Sequence, residues 1–342
     1  MAFPDPRPLR LLVIRYRFIG DTVLAIPFLR NLRHAFPAAT IDVLAEPGSG
    51  ATLLRCPYKN ELLYFAPRLK GAARKKSPYP TTLLDCARQL RARRYDRVYI
   101  LRRSFSSAIL PLLAGIPHRV GFATEGRRWL LQRSTPYPDK HEVECFLDIL
   151  RADGIPVDDG HNENWSDPVT DRRVAAHLPP NGRRRIFICA KSVFRPKDWA
   201  ADRFSELVRW LIAERNCEIH FCDSPGNAPY YLEIMSGVPE TLRSHCHDWS
   251  TELNIADVSS LFRFIDVAIG IDTGLLHIAA SFHVPVIALF GPLEPWRWHP
   301  WDTEHTILRP GDLSGPQPLL RITVADVQAA ADRQFAKLPS AR

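Results

Sequence analysis

The stretch LRLLVIRYRFIGDTVLAIPFLRNLRHAFPAATIDVL, residues 9–44, decides the fold. Residues 9–14 form a short apolar run that reads as a buried strand. After it Ala25, Leu29, Leu32 and Phe36 recur at helical spacing, and residues 41–44 return to strand. That order is a β-α-β unit, the building block of a parallel sheet.

Working outward, further strands are expected at 62–65 and 97–101, with helices near 82–93, 106–114 and 142–152. The stretch 153–185 then carries Gly154, Pro156, Gly160, Pro168, Pro179, Pro180 and Gly182, which places a boundary within 162–180. The expected domains are residues 1–165 and 166–342. The pattern restarts in the second half with a strand at 185–189 and the core-facing stripe Phe204, Leu207, Val208, Leu211 and Ile212. Strands at 218–221, 267–271 and 286–290 follow, with helices around Val258 to Ile265 and at 275–281. Thr323 as N-cap with Asp326 three residues on announces a last helix. Two α/β halves of this kind predict two doubly wound parallel sheets with ligands at the C-terminal edges of the strands.

Composition fits that reading. A chain of 342 residues with 46% hydrophobic and 24% charged residues is neither a stapled miniature nor a disordered polymer. Its charge is uneven: residues 1–170 hold 26 Lys and Arg against 17 Asp and Glu, and the remainder 19 against 20. The first half therefore either faces an anionic partner or carries charge for solubility alone. Seven cysteines, an odd number without a Cys-x-x-Cys, point to a reducing cytosol and to no zinc ribbon. No signal-peptide core is expected, and no apolar run reaches the roughly 20 residues of a membrane span.

Several motifs fail. No Gly-x-Gly-x-x-Gly follows the first strand, which removes the main support for a nicotinamide enzyme. Gly121 and Gly126 have P-loop spacing but precede Arg127 and Arg128, not Lys-Ser/Thr. The chain contains no Asp-x-Asp to hold a divalent metal on a sugar nucleotide, and Glu142 and Glu144 point to different helix faces. His141 and Cys145 share a face, but two ligands without a third read as a helix surface. No nucleic-acid motif accompanies the basic charge.

Three signals remain. Gly20-Asp21 lies where the first strand gives way to its helix, so Asp21 either projects into a site at the strand edge or caps the helix. Lys197-Asp198-Trp199 occupies a polar loop after the strand 185–189, where a lysine can reach a phosphate or simply be solvated. The segment 269–298 delivers Asp272-Thr273-Gly274 at a helix start, where free amides favour an anion, with His277 one turn on. Asp272 as a cap and His277 as a core histidine are the alternatives. Glu294 and Trp296 follow the next strand edge.

Together these segments resemble glycosyltransferase family 9, the bacterial heptosyltransferases of the lipopolysaccharide inner core. The carriers are IGDTVL (19–24), Lys197-x-Trp199, and DTGLLHIAA (272–280) running on to Phe290-Gly291-Pro292. LRRSFSSA (101–108) and AGIPHRVG (114–121) are most similar to the enzymes that add the second heptose, although Arg103 stands where those usually carry an asparagine.

The resemblance implies a GT-B fold, two Rossmann-like domains facing a central cleft, with the final helix a candidate to pack back on the N-terminal domain. It implies inverting, metal-independent transfer of heptose from ADP-L-glycero-D-manno-heptose to a phosphorylated lipopolysaccharide inner-core acceptor, with no cofactor. Asp21 matches the catalytic base. Lys197, Asp272, Thr273, Gly274 and His277 match the donor site, with Asp223 a substitute for the family's ribose ligand. Arg103, Ser104, Arg119 and Arg127 are the candidate acceptor contacts. The implied location is cytoplasmic, in peripheral contact with the inner membrane and without nucleic acid. A different sugar or acceptor, or a silent sugar-nucleotide-binding relative, stays open at this point.

Overall fold

The computed structural model describes residues 7–15, 17–192 and 197–339. By its internal contacts the chain divides into two compact units, residues 1–161 and 162–342.

The first unit is built on β1 (Arg10–Ile14), β2 (Thr40–Ala45), β3 (Leu62–Tyr64), β4 (Arg97–Ile100), β5 (His118–Phe122) and β6 (Arg133–Thr135), in the order β3-β2-β1-β4-β5-β6. All neighbours are parallel, with Val13 opposite Val43 on one side and Tyr99 on the other. Leu11 to Ile14 are fully buried, as a strand covered on both faces must be. The expected crossover is two helices, Ile19–Val23 and Ile26–Ala35, the second opening with Pro27.

The second unit repeats the plan with β7 (Arg184–Cys189), β8 (Cys217–Phe221), β9 (Cys246–Asp248), β10 (Val267–Ile271), β11 (Val286–Leu289) and β12 (His305–Leu308). Its order is β12-β11-β10-β7-β8-β9, again all parallel. Counted within each unit, both sheets run 3-2-1-4-5-6, so each has its reversal of strand order between its first and fourth strands. Ligands of such sheets bind at that reversal, outside the carboxyl ends of the strands.

One glycine makes the second centre possible. A Cβ on Gly270 of β10 would lie 2.0 Å from the Cys189 carbonyl oxygen of β7, so only glycine fits between the two central strands.

Two expectations need correction. β5, β6, β9 and β12 were absent from the sequence reading; the last three are short strands on sheet edges with partly polar sequences. His141 and Cys145 are buried instead of lying on a helix surface. The last helix, Val324–Phe335, packs on the helix Ala201–Arg215 and on β11 and β12 of its own unit. Its start is as read, with Thr323 accepting the Asp326 N–H and Asp326 accepting that of Thr323.

Candidate active site

In the first unit, β1 passes the chain to the helix Ile19–Val23, whose third residue is Asp21. Asp21 Oδ2 accepts the Phe18 N–H at 2.8 Å, so the carboxylate caps the helix from inside it, not from the N-cap position. The other oxygen, Oδ1, meets Arg15 Nη2 at 2.6 Å, and Arg15 Nε reaches the Asp21 carbonyl at 3.3 Å. Arg15 in turn lies 5.3 Å over the Phe146 ring. One cap bond and one bidentate-style clamp therefore fix the carboxylate's direction.

Glu142, at the start of the helix Glu142–Ala152, is buried near this pair. Burial pushes its carboxyl above the usual range; the Tyr137 hydroxyl that donates to it works against the rise, the Asp21 charge adds to it, and Arg15 and Arg103 oppose it. Arg103 sits 4.4 Å over the Tyr137 ring. Sequence reasoning missed Glu142 and Tyr137. It correctly separated Glu142 from Glu144, which pairs with Arg151 near the surface, but the inward face is the one that approaches Asp21.

Of the expected acceptor contacts, Arg103 is exposed and Ser104 is the N-cap residue of the helix Phe105–Leu113. Arg127 is fully buried: Nε donates to the Phe122 carbonyl at 2.7 Å, and Nη1 to the Ser104 carbonyl at 3.1 Å and Ser107 Oγ at 2.9 Å. Burial lowers it to about 10. Arg119 likewise donates to the carbonyls of Leu130 at 2.7 Å and Ile116 at 2.5 Å. Arg127 thus ties down the backbone at Ser104, and Arg119 joins the chain at Ile116 to Leu130.

In the second unit, β7 and β10 are neighbours, and the loops after them meet. Lys197 Nζ donates to Asp272 Oδ2 at 2.6 Å and to the Asp272 carbonyl at 3.0 Å, with side chains 12% and 7% exposed. His277 Nε2 stands 3.9 Å from Asp272 Oδ1. Thr273 is the N-cap residue of the helix Gly274–Ala280, and its Oγ1 lies 2.8 Å from Cys189 Sγ. Trp199 of the lysine loop is fully buried, its Nε1 bonded to the Ile322 carbonyl at 2.9 Å, so it anchors the loop that carries Lys197.

Asp223 follows β8 beside a recess that also contains Lys191, Tyr230, Asp248 and Ser250. Burial raises its carboxyl; bonds from Asn227 and the Ser224 N–H oppose the rise, Asp248 adds to it and Lys191 lowers it. Lys191, which sequence reasoning missed, pairs with Asp198 at 2.5 Å and lies 4.6 Å over the Tyr230 ring. Its signal was available: it lies nearer the end of β7 than Lys197 does.

The sequence model described as "Glycosyltransferase family 9 (heptosyltransferase)" matches residues 83–318, a span that contains Lys197, Asp223 and Asp272 to His277 and begins after Asp21. The chain belongs to glycosyltransferase family 9. It is similar to two curated family members: the lipopolysaccharide heptosyltransferase 2 of Escherichia coli K12, 28% identical over 304 residues and 84% of each chain, and the lipooligosaccharide heptosyltransferase 2 of Haemophilus influenzae, 28% identical over 314 residues and 88% of each. In fold it is similar to the solved E. coli ADP-heptose lps heptosyltransferase II, with a TM-score of 0.80, 24% identity, and coverage of 96% of this chain and 99% of that one. This family 9 protein is thus an enzyme, a glycosyltransferase of GT-B fold.

Proposed function

We propose that the protein transfers heptose from ADP-L-glycero-D-manno-heptose to a phosphorylated inner-core acceptor of lipopolysaccharide, with inversion at the anomeric carbon and without a metal ion. The observation that carries the reading is the Lys197–Asp272 pair at the strand reversal of the second sheet. It puts a cation for a diphosphate and a carboxylate for sugar hydroxyls within 2.6 Å of one another. The curated relatives' names supply the sugar and the acceptor class.

In this reaction Asp21 takes the proton of the acceptor hydroxyl as its oxygen bonds to the anomeric carbon. The bond from that carbon to the diphosphate breaks on the opposite face, and ADP departs with its charge on Lys197 and the amides around Gly274. Asp272 and His277 hold the heptose, and Asp223 the ribose. Arg103 and Ser104 meet the acceptor, positioned by Arg127. A cationic site of this kind stands in for the metal that an Asp-x-Asp would carry. The lipid-linked acceptor puts the enzyme at the cytoplasmic face of the inner membrane.

The test is an assay with ADP-heptose, a core acceptor lacking its outer heptose, and EDTA. The expected product is one heptose heavier by mass spectrometry, with its anomeric configuration opposite to the donor's by NMR. Retained configuration, or turnover that returns only when magnesium or manganese is restored, overturns the mechanism; no transfer to any core acceptor overturns the function.

A further inference from the structure

Most amphipathic helices turn their apolar stripe inward, but the helix Phe105–Leu113 is apolar on both sides. Ala108 and Leu110 enter the core of the first unit. On the opposite side Phe105, Ile109, Leu112 and Leu113 fall at i, i+4, i+7 and i+8, and Leu112 and Leu113 are 43% and 42% exposed. Against this helix packs the one-turn helix Arg127–Leu130, which carries Trp129 at 89% exposure. The turn is tied at both ends. Arg127 ties it to Ser104 and Ser107, and Arg119 bridges the carbonyls of Leu130 and Ile116. A rigid scaffold therefore presents an indole and a leucine-rich stripe outward.

The charges of this region have one sign. Residues 101–135 contain six arginines and a single acid, Glu125. That acid accepts the Phe105 N–H at 2.7 Å and so caps the helix. Arg127 and Arg119 face backbone carbonyls, whereas Arg103, Arg128 and Arg133 are exposed.

We propose that the helix Phe105–Leu113 and the turn Arg127–Leu130 form the surface by which this protein lies on an anionic lipid bilayer. Tryptophan and leucine enter the boundary between headgroups and acyl chains, where an amphipathic ring is best solvated at both ends. The arginines remain among the lipid phosphates, each contributing through the negative surface potential. Charge selects this occupant over a second copy of the chain. A two-fold dimer through the same patch would set Arg128 and its neighbours against their own images. The inference rests on the proposed lipid-linked acceptor, and it names the face that reaches it.

The experiment is flotation of the whole protein with vesicles of phosphatidylethanolamine and phosphatidylglycerol, against vesicles of phosphatidylcholine alone. Transfer to a deacylated, water-soluble core acceptor is measured in parallel. Wild type should float with the anionic vesicles. Trp129→Ala combined with Leu113→Ser should bind them at least about tenfold more weakly, and Arg128→Glu alone should weaken binding several-fold by charge, with kcat at saturating soluble acceptor preserved in both. Wild type that transfers heptose but does not float, or variants that float like wild type, overturn the docking surface and leave the function standing. Wild type that floats but transfers to no acceptor overturns the function and leaves the surface. Sedimentation showing a dimer that Leu113→Ser dissociates overturns the lipid assignment in favour of self-association.

Discussion

Asp21, the proposed catalytic base, also has a structural part in its helix end. Its Oδ2 satisfies a helix-end amide and its Oδ1 an arginine, so the carboxylate is oriented before any substrate arrives. Asp21→Asn keeps the shape and an acceptor for Phe18 N–H but removes the base. Turnover should fall by about 10²–10⁴-fold while the calorimetric affinity for ADP-heptose stays near wild type. Turnover within threefold of wild type would remove Asp21 from the role. The Lys197–Asp272 pair predicts a different pattern. Lys197→Ala should weaken ADP and ADP-heptose alike, by about 1.5–3 kcal/mol or roughly ten- to hundredfold. Asp272→Ala should weaken the sugar nucleotide more than ADP, since the freed lysine still meets the diphosphate. The double variant should lose less than the sum of the two, because the side chains touch. Additive losses would mean that the pair is not shared in the bound state.

At the scale of elements, the proposed donor site depends on how closely β7 and β10 approach. A methyl on Gly270 would meet the Cys189 carbonyl at 2.0 Å, so Gly270→Ala must push the two central strands apart. It should cost about 3 kcal/mol or more in urea unfolding, and the surviving folded protein should bind ADP more weakly, since Thr273 contacts Cys189 and Asp272 leaves the same strand. An unchanged urea midpoint would show that the strands yield without strain. This dependence also explains what the sequence could reveal. β1, β7, β10 and β11 were legible because central strands buried on both faces are continuous apolar runs. β6, β9 and β12 were not, because RST, CHD and HTIL lie on sheet edges where water tolerates polar residues. The positions of Asp21, Lys197 and Asp272 after strands were legible because β1, β7 and β10 are apolar runs. The direct Lys197–Asp272 bond was not, because only the adjacency of β7 and β10 brings those loops together. Glu142 approaches Asp21 from a distant helix and belongs to no motif.

For the whole molecule the uneven charge becomes a kinetic statement. Residues 1–170 carry 26 basic against 17 acidic side chains, and the remainder 19 against 20, so for the proposed anionic acceptor any long-range attraction would come from the first unit. Such attraction acts between exposed groups and is screened over about 10 Å at 0.1 M salt. The proposed donor site would work differently: Lys197 is largely buried against Asp272, and buried pairs are screened far less. Raising sodium chloride from about 0.03 to about 0.3 M should therefore lower kcat/KM for a soluble phosphorylated acceptor by roughly tenfold, while KM for ADP-heptose moves about two- to threefold at most. The first change should shrink when the acceptor is dephosphorylated, because one side of the attraction is then gone. Equal salt sensitivity for donor and acceptor would place the attraction in local contacts shared by both, and the basic excess of the first unit would then serve solubility alone.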